Sequence, residues 1–99
     1  MTRIRFEWDE RKNLANQRKH GVTFEEATQV FRDPLYASSL DCIEDGEERW
    51  KTFGLVDGVL LVTVAHTVRE ETTTSEIIRI ISARYATPKE RRLYEDENG

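Results

Sequence analysis

Cysteine, histidine and clustered glycine are all scarce in this sequence. Cys42 is the only cysteine, so no intrachain disulfide can form and a cytosolic address is the default expectation. Its plain reading is a filler on or near a strand. The two histidines, His20 and His66, do not combine with Cys42 into a zinc-ligand spacing, so neither a metal nor another cofactor is expected. The five glycines stand apart, which excludes a glycine-rich phosphate loop. No Ser-x-Gly elbow or triad signature is present. The longest apolar run, Val59 to Val62, is far too short to span a bilayer. Thr2 to Glu10 is polar and charged, so no secretory leader is expected.

What is present is charge, and it is segregated. Apolar residues make up 37% and charged residues 34%, a balance that fits a folded chain, and residues 1–99 are expected to form one domain. The net charge of −4 argues by itself against a nucleic-acid binder. The distribution points elsewhere. Residues 1–20 hold six Lys or Arg against three acids, and residues 21–48 one against eight. Residues 49–69 hold three against one, and residues 77–92 five against one. Such a chain can fold into a basic face and an acidic remainder.

The periodicities give an order of elements. Arg3 to Trp8 reads as a short strand, and Asp9 caps a helix over residues 10–19 that stops at His20-Gly21. Thr23 and Glu26 form a capping box for a second helix, with Phe24, Ala27, Val30 and Phe31 on its core face and Asp33-Pro34 at its end. Leu35 to Ile43 reads as a strand, and Asp45-Gly46 as a turn. Along Glu47 to Val56, Arg49, Lys51 and Phe53 share one face while Trp50, Thr52 and Gly54 share the other. Asp57-Gly58 marks a hairpin into Val59 to Val68, the most buried strand. Arg69 to Glu76 is expected to be a polar hairpin tip. Ile77 to Tyr85 is the last strand and residues 88–96 the last helix, with Thr87, Pro88 and Glu90 as its start signals. The order β-α-α-β-β-β-β-α predicts an α+β fold with an antiparallel sheet covered on one face by helices.

A cationic cluster is the chemistry this pattern can carry. Arg49 and Lys51 project from one strand, Arg69 ends the next, and Arg79 and Arg84 lie on the last, with Ser82 between them and His66 on the neighbouring strand. RNA can be cut without a metal, because its 2′-hydroxyl is a built-in nucleophile. The protein must then accept a proton, stabilise the pentavalent phosphate and protonate the leaving 5′ oxygen. Arginine grips phosphate through two parallel bonds, and histidine is the usual proton carrier near neutral pH. Each residue also has a plain reading. Arg49 and Lys51 fit a solvated strand face, His66 a core histidine bonded to backbone, Arg79 a partner of Glu70, Glu71 or Glu76, and Arg84 a tie from the strand end to Glu90 or the C-terminal acids. Arg79 and Arg84 differ in parity, so they face opposite ways unless a bulge intervenes.

The residues also resemble a family. Phe6-x-Trp8-Asp9, Lys12, Asn16 and Lys19-His20-Gly21-Val22-x-Phe24-Glu25-Glu26-Ala27 with Val30-Phe31 look like the N-terminal half of the BrnT-type toxins. Glu48-Arg49, Gly54, Thr67-x-Arg69, Arg79 to Arg84, Ala86, Glu90-Arg91 and Tyr94 resemble the second half, in the same order. The resemblance implies a RelE-like compact domain, with two N-terminal helices and a C-terminal helix packed on the sheet. It implies an endoribonuclease toxin of a type II toxin–antitoxin pair. It also implies a ribbon-helix-helix antitoxin of the BrnA type, which binds operator DNA and neutralises the toxin in a 2:2 complex. The matching positions suggest Arg49, Arg69, Ser82 and Arg84 as catalytic residues, to which the neighbouring His66 is added, with Lys51 and Arg79 on the RNA. The alternative is a non-catalytic module that docks the DNA-binding partner and tunes repression of the operon.

Overall fold

Local signals set most element boundaries. In the computed structural model residues 3–98 are described, apart from the side chains of Glu70, Glu71, Glu97 and Asn98. The elements are β1 (Arg3–Glu7), α1 (Glu10–His20), α2 (Phe24–Ala27), a 3-10 segment (Thr28–Arg32), β2 (Ala37–Glu44), β3 (Glu47–Val56), β4 (Leu60–Thr72), β5 (Ser75–Tyr85) and α3 (Pro88–Asn98). The Asp9 carboxylate caps α1 by accepting from the Arg11 N–H at 2.8 Å, and Gly21 closes it at φ 75°. Both capping boxes form, Thr23 with Glu26 and Thr87 with Glu90. Asp45-Gly46 and Asp57-Gly58 take positive φ at both residues, the conformation that a tight hairpin turn needs.

The sheet runs in the order β1-β5-β4-β3-β2. Strands β2 to β5 are antiparallel as expected, but β1 pairs with β5 in parallel, Phe6 beside Ile78 and Glu7 beside Arg79. Alternation identifies a strand and not its neighbour. Here the helical crossover carries the chain from β1 to the far edge, and the meander returns to it. The expected polar tip is a second difference. Strand pairing continues from Arg69 to Thr72 and resumes at Ser75, leaving a turn at Thr73-Thr74, because β-branched threonine suits a strand. The second helix is also shorter than predicted and tightens into the 3-10 segment after Ala27, which still delivers Val30 to the core.

The core lies between the helices and one face of the sheet. Val22, Phe24, Ala27 and Val30 meet Val56, Val62, Val64, Ile78, Ile80 and Ala83. Helix α1 contributes amides: its buried residues are Asn13 and Asn16. β1 pairs only as far as Arg79, so beyond it the edge of β5 needs other partners. Asn16 supplies them: its side chain accepts from the Ala83 N–H at 3.1 Å and donates to the Ala83 carbonyl at 2.8 Å. Helix α3 covers one end of the opposite face, with Tyr94 packed on Phe53 and Leu61. None of the described helices is long and apolar enough to cross a membrane.

Gly54 marks the closest approach of the two layers. A Cβ there would stand 2.7 Å from the Val30 carbonyl oxygen and 2.9 Å from its Cγ1. A backbone oxygen cannot rotate aside, so the 3-10 segment must lift. Gly54→Ala is expected to cost about 1–3 kcal/mol of stability, measured by urea denaturation, the range for overpacking a core. A variant as stable as the parent would show that the layers separate freely.

Candidate functional site

The register of β5 decides which cations share a face. Ala65 pairs with Ser82 and His66 with Ile80, so Ile81 is an extra residue on β5. This bulge restores parity between Arg79 and Arg84, which then point to the same side. Arg79 lies opposite Thr67, Ser82 opposite Ala65, and Arg84 opposite Thr63. On β3, Lys51 lies opposite the same Ala65. Lys51, Ala65 and Ser82 therefore form one row across three strands. Arg49 on β3, Arg69 on β4 and Arg79 on β5 extend the same face beyond it. The structure thus brings Arg49, Lys51, Arg69, Arg79 and Ser82 onto the part of this face that α3 leaves open, with Arg84 at its border, bonded to Glu90 of α3.

Acids balance this cationic face. Glu7 lies 3.7 Å from Arg69 and 3.8 Å from Arg79, Asp41 3.4 Å from Lys51, and Glu44 3.1 Å from Arg49. Described partners of Arg79 thus include Glu7; pairing with Glu70 or Glu71 falls outside the described side chains. These pairs are partly exposed and each is worth only about 0–1 kcal/mol, so an incoming phosphate can displace them. The Nε of Arg49 is buried and makes no hydrogen bond among the described residues, despite its proximity to Glu44. Asp41 owes its place to a second bulge: Leu40 pairs with Trp50 and Cys42 with Arg49, leaving Asp41 extra on β2.

Arg84 is held far more tightly than the others. Its two terminal nitrogens meet the Glu90 carboxylate at 2.7 and 2.9 Å. Glu90 also accepts from the Thr63 hydroxyl at 3.0 Å and the Thr87 N–H at 2.9 Å. The Arg84 bonds, helped by those of Thr87 and Thr63 and opposed by burial, bring the Glu90 carboxyl down to about 2. The same bonds raise Arg84 further, and Asp41 adds a smaller attraction, which places that acid within electrostatic reach.

His66 stands apart. It lies on the helix-covered face, 3% exposed, with its ring edge-on to Phe31 at 5.0 Å. Its Nε2 meets the Thr52 hydroxyl at 2.6 Å, and that hydroxyl meets Ser38 at 2.7 Å. Nδ1 faces the Thr67 carbonyl at 3.4 Å. Burial pushes the imidazole down to about 4, so it is neutral at physiological pH. The sheet separates it from Lys51 and Ser82, and its plain reading as a core histidine fits this geometry.

Sequence reasoning passed over Asp41, Glu7 and Thr63. Asp41 and Glu7 look like ordinary surface acids, and only the bulge on β2 and the parallel β1–β5 pair bring them to the site. Glu90 was legible as a cap and as one candidate tie for Arg84, but its bond to the Thr63 hydroxyl was not. Among the described residues no three His, Cys, Asp or Glu side chains gather where they could hold a metal ion.

Known proteins match this geometry and sequence. The family described as "Ribonuclease toxin, BrnT, of type II toxin-antitoxin system" matches residues 8–90. The crystal structure of the Brucella abortus ribonuclease toxin BrnT superposes with a TM-score of 0.59 at 21% identity, covering 86% of this chain and 99% of that one. That likeness establishes the α+β fold. No curated protein sequence matches the chain. Because the family match takes in most of the sequence, both layers of the fold and the cationic strands, the chain belongs to the BrnT family of ribonuclease toxins of type II toxin–antitoxin systems.

Proposed function

We propose that this toxin cleaves RNA on the open sheet face without a metal, by attack of the 2′-hydroxyl on the adjacent phosphate. The observation that carries the reading is the row Lys51–Ala65–Ser82, flanked by Arg84 and Arg79. A phosphate over the small Ala65 meets an ammonium on one side and a hydroxyl on the other. Arg79 and Arg84 lie on either side of Ser82 along β5, so their positive charge flanks the phosphate. The 2′ oxygen forms the new bond to phosphorus and gives its proton to Asp41. The 5′ oxygen leaves and takes a proton from Lys51, the partner of Asp41 in the free protein. The excess charge of the pentavalent phosphate is met by fixed cations and by the Ser82 hydroxyl. Arg49, once released from Glu44, is a further cation for RNA phosphates. His66 takes no part in this scheme.

The family's antitoxin silences such a site by covering it, and carboxylates replacing Asp41, Glu44 and Glu7 on the cations are the chemistry expected of a ribbon-helix-helix partner's toxin-binding segment. Incubating the purified toxin with RNA in excess EDTA tests the scheme. Cleavage should persist and leave 2′,3′-cyclic phosphate ends. Activity lost in chelator and restored by a divalent ion would refute it. Salt-sensitive RNA binding with no cleavage under any condition would favour the non-catalytic docking module.

A further inference from the structure

The helix side of the sheet is only partly covered. Helices α1 and α2 lie over β5 and part of β4, and the 3-10 segment lies over β3 and β4. Near the Asp45-Gly46 turn the same face is bare. Leu40 lies opposite Trp50 and Ile43 opposite Glu48. Trp50 pairs with His66, and beyond that pair Val68 and Glu48 line one depression. Leu40, Ile43 and Val68 are 46%, 65% and 43% exposed. Gly46, Glu47, Glu48, Trp50 and Val68 line a depression of about 450 Å³ among them. This apolar ground is on the opposite side of the sheet from Lys51 and Ser82.

Its charge tells what it fits. Residues 33–48 contain acids and no Lys or Arg. Neither Glu47 nor Glu48 joins an ion pair among the described residues. Glu48 stands between Ile43 and Val68, where a partner would desolvate it, and a desolvated carboxylate is costly unless a cation meets it. A second copy of this chain is a poor occupant, because a two-fold contact of this patch with itself would set Glu47 and Glu48 against their own copies. The patch also reaches β2, the free edge of the sheet, beyond which lies the cationic face.

We propose that this patch is a second docking site for the cognate antitoxin, taking an amphipathic segment that sets apolar side chains on Leu40, Ile43, Trp50 and Val68 and a Lys or Arg on Glu48. The antitoxin then wraps the β2 edge, carboxylates on one face and a basic apolar segment on the other. The inference rests on the family's possession of an antitoxin and not on the cleavage scheme. Both key side chains are exposed, so substitution leaves the fold and the open face intact.

The test is the affinity of the co-expressed, purified antitoxin for separately refolded toxin variants, with RNA cleavage by each free toxin alongside. Ile43→Asp should weaken the complex at least ~30-fold and Glu48→Lys at least ~10-fold, the losses typical of a central apolar anchor and a buried charge contact. Cleavage by the free variants should match the parent. Both variants binding within about twofold of the parent would overturn the proposal. So would a parent toxin that dimerises alone and becomes monomeric in Ile43→Asp, which would make the occupant a second copy. A parent toxin that cleaves no RNA would refute the cleavage scheme while leaving the affinity comparison intact.

Discussion

Lys51→Ala is expected to slow RNA cleavage about 10²–10³-fold, about 2.7–4 kcal/mol of transition-state stabilisation, the usual loss of one donor aimed at developing charge. Its melting temperature should barely move. The Lys51 side chain is one-third exposed and its bond to Asp41 is a partly solvated pair, so the folded state loses about 0–1 kcal/mol at most. Rate and stability therefore separate at this residue. Lys51→Arg sharpens the test. Arginine keeps the positive charge but holds its proton, so it restores charge stabilisation and not protonation of the leaving oxygen. On ordinary RNA this variant should stay well below the parent. On RNA with a 5′-thiolate leaving group, which departs without a proton, it should recover most of the lost rate. Single-turnover cleavage of both substrates measures this. Lys51→Ala cleaving ordinary RNA within threefold of the parent would remove this lysine from the chemistry.

That experiment depends on side-chain placement that only part of the sequence announced. Short-range signals were readable. The reciprocal caps at Thr23–Glu26 and Thr87–Glu90, the Asp-Gly turns and the alternation around Arg49, Lys51 and Phe53 each involve residues a few positions apart. Long-range facts were not. Nothing near Arg3 says that its strand will lie parallel to β5. Nothing near Ile81 says that this residue will be skipped in the ladder, yet the skip alone puts Arg79 and Arg84 on one side. His66 shows the same limit. Its strand was correctly seen as the most buried, but which side its ring occupies depends on pairing with Trp50 and on the 3-10 turn that brings Phe31 over it. The family resemblance suggested a set of site residues without saying which side of the sheet each would occupy.

Arg84 is where the structure changes the expectation most. A strand-end arginine paired with a surface acid would matter little to stability. Here the acid is Glu90, 7% exposed, which also holds the Thr63 hydroxyl and the first turn of α3. Removing its fork leaves a carboxylate in a site where only two weaker donors remain. Lowering a carboxyl from 4.5 to about 2 corresponds to about 3 kcal/mol of stability, an order of magnitude set by linkage. The sign follows from the direction of the shift. The stabilisation is fully present above the unfolded value of 4.5 and is lost as pH falls through about 2. Glu90→Gln should thus be less stable than the parent by about 2–3 kcal/mol at pH 7, somewhat below the full linkage figure because Arg84 is one-third exposed and can rehydrate. The gap should narrow steadily below pH 4.5. His66 titrates in both proteins, so it cancels in the difference. Urea denaturation of the pair across this range reads the gap directly. A gap that is constant with pH would mean that Glu90 acts only as a helix cap. If Arg84 also serves the transition state, Arg84→Ala must lose rate beyond what its unfolded fraction explains. Cleavage per folded molecule, measured at a temperature where the variant is still native, decides that. An unchanged rate per folded molecule would make Arg84 a structural strut between β5 and α3.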